Sequence, residues 1–253
     1  MSTVQELQRQ LDAARAELQD FTYTVSHDLR APLRHIHAFA KIMQEDLINP
    51  PPDILSHLAT IRQSAQLLTN QLDGLTRFAR LGAQPMQPQA VDVSALVQVL
   101  VNDLAQLHPA VTWQLAPDVP LVWGDGQALR QVLALVLDNA VKFSRSRPVP
   151  QITLSWQLAE APELTADVLP GTSQPAQAKL CQISITDNGI GFAPEQASKL
   201  FKVFAKLHPV RDHEGLGLGL VSSRKIVERL GGNIDITAQV DAGCRVMLAL
   251  SIA

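Results

Sequence analysis

Cysteine and long apolar runs are both scarce in this chain, and each scarcity closes off a class of function. Of 253 residues only two are cysteine, Cys181 and Cys244, far apart and without the spacing of a metal site. A disulfide framework is excluded, and a reducing cytoplasm is the expected setting. The longest apolar run, over 132–137, is too short to cross a bilayer, and residues 1–10 are polar and lack a signal-peptide core. The net charge of -3 supplies no basic field for nucleic acid and no polybasic membrane patch. Nor does any glycine run lead into the Gly-Lys-Ser/Thr of a Walker loop. The apolar content is nevertheless ample: 46% hydrophobic residues, enough to build a packed core in one large or two modest domains.

Hydrophobic spacing divides the chain. Val4, Leu7, Leu11, Ala14, Leu18, Phe21 and Val25 alternate steps of three and four, which is a coiled-coil seam. Pro50-Pro51-Pro52 ends that helix, and Asp53 is placed to cap the next. A second seam comes at Ile54, Leu58, Ile61, Ala65, Leu68, Leu72, Leu75 and Ala79. Two helices alone bury two such stripes poorly, so a homodimeric four-helix bundle is expected. A Gly/Pro/Gln stretch over 82–88 marks the domain boundary.

Beyond it the pattern changes to mixed helix and strand. Strands are expected near 91–93, 111–115, 121–123, 151–158, 180–186, 234–239 and 245–252. Helices are expected over 94–107, 126–143, 194–207 and 217–230, with Asp125 capping the second of these. Residues 159–179, rich in Pro, Ala and Gln, read as a long surface loop. Asp241-Ala242-Gly243 reads as a turn between the last two strands. The elements do not alternate strictly, so the expected fold is an α+β sandwich with helices on one sheet face.

Five short segments carry possible chemistry. In Ser26-His27-Asp28-Leu29-Arg30-Ala31-Pro32-Leu33, His27 lies two residues past Val25, about 200° around the helix and away from the seam. Asp28 can hold one ring nitrogen protonated and leave the other as nucleophile. Pro32 removes a hydrogen bond to the Asp28 carbonyl and is expected to bend the helix there. On the helix over 126–143, Asn139 and Lys142 sit one turn apart at the edge of an apolar face. The Asn139 amide oxygen suits Mg2+, and Lys142 can meet a phosphate. Asp187-Asn188-Gly189-Ile190-Gly191-Phe192 ends an alternating strand. There Asp187 can accept from the exocyclic amine of adenine, and Gly189 and Gly191 let the backbone approach the ring. Leu200, Phe201, Val203 and Phe204 precede a polar stretch over 208–214. Gly215, Gly217 and Gly219 open a helix whose N–H groups can bind phosphate oxygens. Taken singly, each has a bland reading: an exposed histidine, a polar helix edge, an Asn-Gly turn, core aromatics, a glycine-rich loop.

Taken in order, the five resemble the boxes of a two-component sensor histidine kinase transmitter region, over about 21–250. The wording around His27 is similar to phytochrome-associated kinases. The resemblance implies an all-α dimerising hairpin followed by an α+β ATP-binding domain of the gyrase and chaperone type. It implies domains at 1–20 (signalling coiled coil), 21–82 (dimerisation and phosphotransfer), 83–88 (linker) and 89–253 (catalytic). It implies autophosphorylation of His27 from Mg-ATP, with transfer to an aspartate of a response regulator receiver domain. His27 and Asp28 then take the catalytic roles. Asn139, Lys142, Asp187, Gly189, Gly191, Phe204, Gly215, Gly217 and Gly219 bind nucleotide, and Asn139 holds the metal. A homodimer and an upstream sensor module are the implied partners, with no nucleic acid and no direct membrane insertion. Three positions depart from the family pattern. Leu135 stands where a second Asn is usual, Leu216 where Thr or Ser is common, and Ala31 where members with strong phosphatase activity carry Thr or Asn. The rival reading is a pseudokinase, a dimeric signalling scaffold, and Leu135 and Leu216 are the residues that favour it.

Overall fold

The computed structural model describes residues 3–82, 85–160, 179–207 and 215–253. These form two compact units, Met1–Gln84 and Pro85–Ala253.

In the first unit, helix α1 (Thr3–Asp46) and helix α2 (Pro52–Arg80) form a hairpin. One unbroken helix spans the coiled-coil stretch and the His27 segment and continues through Pro32. Asp53 does not cap α2: Pro51 holds the cap position without a side-chain hydrogen bond, and Asp53 lies inside the first turn. A proline just inside the helix start suffices, because its missing N–H is one the helix would leave unpaired anyway. The single apolar seam expected on α2 divides into two faces. Leu58 and Ala65 are buried against α1, whose own buried row is Ser26, Leu33 and Ala40. These positions recur every seven residues. A second row with the same spacing faces solvent: Leu29, Ile36 and Met43 on α1, and Ile54, Ile61 and Leu68 on α2. Arg30 joins Asp73 at 2.8 Å and Arg62 joins Gln44 at 2.7 Å, tying the arms together. Within the buried row, the Ser26 hydroxyl is enclosed and has no hydrogen-bond partner.

The elements of the second unit begin with β1 (Gln89–Val91), α3 (Val93–Leu107), β2 (Thr112–Leu115), β3 (Val122–Gly124) and α4 (Gly126–Ser144). They continue with β4 (Gln151–Glu160), β5 (Lys179–Asp187), a 3-10 turn (Pro194–Lys199), α5 (Gly219–Arg229), β6 (Asn233–Gln239) and β7 (Gly243–Ser251). The main sheet has the order β2-β4-β5-β7-β6, with only the β2–β4 pair parallel. β1 and β3 form a small antiparallel pair. Helix α4 lies on the sheet and presents Leu129, Val132, Leu133, Val136, Leu137, Ala140 and Val141, all buried. Asp92 caps α3 through the Ala95 N–H, a cap not among the sequence expectations. Asp125 caps α4 by accepting from Gln127 and Ala128. Its other oxygen accepts from the Gln87 N–H at 2.9 Å. Hydrogen bonds from Gln87 first, then Ala128 and Gln127, hold this carboxyl below its ordinary range, and burial only partly opposes them.

The helix expected over 194–207 is corrected. Only Pro194–Lys199 is helical, as a 3-10 turn, and residues 200–207 are turn and loop. Phe204 adopts φ 62, a left-handed conformation that no helix can contain. The expected loop over 159–179 is shorter at both ends because β4 and β5 extend to Glu160 and Lys179, and 161–178 fall outside the described residues. The polar stretch over 208–214 and the linker positions 83–84 fall outside them too.

Candidate phosphoacceptor and nucleotide sites

His27 sits on the outer surface of α1, with about two-thirds of its side chain exposed (67%). Its Nδ1 lies 3.1 Å from Asp28 Oδ1. That contact favours the tautomer with the proton on Nδ1 and leaves Nε2 as the free nucleophile. Tyr23, one turn earlier, stacks on the imidazole with centroids 6.4 Å apart. Arg80, at the end of α2, lies over the Tyr23 ring at 5.5 Å.

In the second unit a cavity of about 320 Å³ opens between α4, the ends of β5 and β7, and the segments before α5. Asn139, Lys142, Asp187, Gly191, Gly215, Gly217 and Gly219 all line it. Leu135 and Leu216, two of the departures from the family pattern, line it as well. Gly189 and Phe204 do not belong to the lining.

Each side chain is placed by its element. Cys181, Ile183, Ile185 and Asp187 alternate along β5 and share its buried face. The strand's period therefore carries a carboxyl into apolar surroundings. Burial pushes the Asp187 pKa up to about 6, against the pull of hydrogen bonds from the Gly189, Cys244 and Asp187 N–H groups. Cys244 pairs with Asp187 across β5 and β7, and its thiol is pushed up to about 12, by burial and then by the neighbouring Asp187 charge. Asn139 and Lys142 project from α4 on one edge. A Cβ at Gly219 would lie 3.4 Å from Asn139 Nδ2, and one at Gly215 would lie 3.3 Å from Lys142 Nζ. Helix α5 begins without a side-chain cap, so its first N–H groups need other acceptors, for which an anion is suited.

The glycines are required for reasons different from those the sequence suggests. At Gly189 an added Cβ would stand 2.5 Å from the Phe143 carbonyl oxygen, so this residue allows the loop to close on α4. Gly191, at φ +59, leaves no room before the Gln239 carbonyl in the β6–β7 turn. Gly217, at φ +70, backs onto Phe204 and Ala205, and its carbonyl accepts from the Phe204 N–H at 3.1 Å. Phe204 thus enters the site region through its backbone, while Arg224 covers the Phe201 ring at 4.0 Å. Gly243 also belongs to the site region, though it is not among the residues singled out in the sequence: at φ +97 it packs directly on the Asp187 carbonyl. The Asp241-Ala242-Gly243 turn holds the only sequence signal for it, and a turn between strands accounts for that signal equally well.

Comparison with known proteins agrees with this arrangement. Residues 124–253 match the family model described as histidine kinase-, DNA gyrase B- and HSP90-like ATPase, and residues 17–84 match the His kinase A phospho-acceptor domain. The chain is 32% identical over 250 residues to a methanogenesis regulatory histidine kinase of Methanothrix harundinacea, covering 98% of this chain and 26% of that protein. It is 28% identical to cyanobacterial phytochrome B of Nostoc, covering 94% of this chain and 30% of that protein. It therefore spans between a quarter and a third of these relatives. Among solved structures, full-length ShkA in complex with AMPPNP matches 92% of this chain and 46% of that one, at 21% identity and a TM-score of 0.58, a likeness of fold. A His kinase A domain followed by a histidine kinase-, DNA gyrase B- and HSP90-like ATPase domain defines the class: the transmitter domains of two-component sensor histidine kinases. The chain belongs to the sensor histidine kinase family, whose relatives include phytochrome-like members.

Proposed function

We propose that this chain is a transmitter region that phosphorylates His27 from Mg-ATP and passes the phosphoryl group to an aspartate of a receiver domain. The observation that carries the proposal is the presence of two sites in one chain. One is an exposed imidazole with its Nδ1 held by Asp28. The other is a cavity lined by an amide, a lysine, a buried carboxyl and three glycines at a helix start.

In this reading Asp187 accepts from the adenine amine. Lys142 and the N–H groups around Gly215, Gly217 and Gly219 hold the phosphates. Gly189 and Gly191 shape the loop that carries Asp187. Among the described residues no cluster of three His, Cys, Asp or Glu side chains could hold a metal. Asn139 offers one amide oxygen, which fits Mg2+, an ion that takes most of its ligands from water and phosphate. Bound there, the ion would neutralise phosphate charge. Asp28 keeps the proton on Nδ1 and Nε2 attacks the γ-phosphorus; the bond from that phosphorus to the β,γ-bridging oxygen breaks, and ADP leaves. Catalysis is mostly positioning and charge neutralisation.

The exposed seven-residue rows of the hairpin fit a homodimeric four-helix bundle. The coiled-coil spacing along α1 fits a helix that carries a signal from a sensor module toward His27. Among the described residues no helix is long and apolar enough to cross a membrane, and the proposed place of action is the cytoplasm. The second reading, a silent scaffold, rests on Leu135 and Leu216, which put apolar surface where polar contacts to nucleotide would help. Incubation with radiolabelled Mg-ATP separates the two. Acid-labile, base-stable label is expected on the wild-type chain and absent from His27→Gln and Asn139→Ala. A wild-type chain that binds ATP and stays unlabelled would favour the scaffold.

A further inference from the structure

We infer that Arg147 is a positioning residue for nucleobase recognition, acting on Asp187 through a single peptide group. Arg147 lies in the turn after α4 and has no place in the five sequence boxes. Its guanidinium makes an unusual set of contacts. Nε donates to the Asn188 carbonyl at 2.9 Å. Nη2 donates to the Gly189 carbonyl at 2.8 Å and to the Asp241 carbonyl at 2.7 Å, and lies 3.4 Å from Asp241 Oδ1. One side chain thus joins the end of α4, the loop after β5 and the β6–β7 turn.

The contact to Asn188 matters most. The carbonyl of Asn188 and the N–H of Gly189 belong to the same peptide group, and in a trans peptide they point in opposite directions. On one side the carbonyl accepts from Arg147. On the other, the N–H donates to Asp187 Oδ1 at 2.8 Å. A cation at the carbonyl polarises the peptide and strengthens the bond its N–H makes. That bond fixes one oxygen of Asp187 and favours the ionised carboxyl, opposing the burial that raises its pKa. Other bonds hold the rest of the loop. Asn188 Oδ1 accepts from the Gln151 N–H and Asn188 Nδ2 donates to the Val149 carbonyl. The Ile190 N–H donates to the Phe143 carbonyl. None of these grips the peptide that faces Asp187. Lysine cannot replace arginine here, since three carbonyls on two separate loops require the planar fork.

This inference rests on the assignment of Asp187 to adenine, and base preference tests both. Mg-ATP and Mg-GTP binding to the purified full chain would be measured by calorimetry for wild type, Arg147→Met and Arg147→Lys, with thermal midpoints alongside. Wild type is expected to prefer ATP. Arg147→Met is expected to lose about tenfold in ATP affinity and most of its preference over GTP, the scale of one charge-assisted hydrogen bond. Arg147→Lys keeps the charge and is expected to fold, yet to lose preference as well. Autophosphorylation at saturating ATP should change little, so the effect falls on KM and not on kcat. A wild-type chain without preference would overturn the adenine assignment, and the positioning role of Arg147 with it. A preference retained in folded Arg147→Lys and Arg147→Met would overturn the positioning role of Arg147 alone.

Discussion

The fold buries Asp187 on the same strand face as Ile183 and Ile185 and raises its pKa to about 6. Between its ordinary value of 3.8 and this value, the folded chain holds a proton that the unfolded chain has released. Stability must therefore fall as pH rises through that window, by about 3 kcal/mol for a shift of this size, and stay reduced above it. Asp187→Asn removes the slope. Urea unfolding followed by tryptophan fluorescence should give similar stabilities near pH 4 and a more stable variant near pH 7, with weaker ATP binding. All three tryptophans, Trp113, Trp123 and Trp156, lie in the ATP-binding unit, so the signal is specific to it. Parallel pH profiles for the two chains would count against the buried, ionisable role. A carboxyl buried this way gains from each further donor that reaches it, the property the proposed base-recognition role needs.

At the scale of elements, periodicity carries most of the legible structure. α3, α4 and the strands β4 to β7 lie within two or three residues of where their hydrophobic spacing puts them. Apolar residues at helical or alternating spacing have one way to be buried, so pattern and structure agree. The disagreement at 194–207 has a definite cause. Leu200, Phe201, Val203 and Phe204 look like one helical face, but Phe204 bonds Gly217 through its backbone at φ 62. A long-range contact overrides local spacing, and nothing in the segment announces it. Asp187, Asn139 and the glycines are legible as candidates only as an ordered set, since each taken singly has a bland reading. Arg147 is not, since only the fold brings its three carbonyls together. The hairpin shows the same limit. Its apolar stripe is visible, but the division between the row packed inside and the row facing out needs the partner helix. That division gives a prediction. Ile61→Glu places a charge in the exposed row without touching Leu58 or Ala65. It is expected to convert a dimer to a monomer in sedimentation velocity while ATP affinity stays unchanged. A monomeric wild-type chain, or a dimeric variant, would refute the bundle.

At the scale of the whole molecule, two compact units with separate cores should not unfold as one. Loss of helix in the hairpin, followed by far-ultraviolet circular dichroism, and loss of the tryptophan environment are expected at different denaturant concentrations. ATP should move only the tryptophan transition, by about 2.7 kcal/mol at a ligand concentration about one hundred times its Kd. A single transition shifted as a whole by ATP would mean that the units stabilise each other. Independence of this kind suits a signalling protein, because each part can change its arrangement without melting the other.

Ser26 occupies the packed row of the hairpin with Leu33 and Ala40, immediately before His27, the proposed phosphoacceptor, and its enclosed hydroxyl has no hydrogen-bond partner among the described residues. An enclosed, unbonded hydroxyl costs on the order of 1–3 kcal/mol. Any twist of α1 that lets this oxygen reach a carbonyl or water recovers part of that energy, so the packed arrangement at this turn is held less firmly than an apolar side chain there would hold it. A weak point of the packing thus falls beside His27, the proposed phosphoacceptor, where a small torque on α1 would meet less resistance.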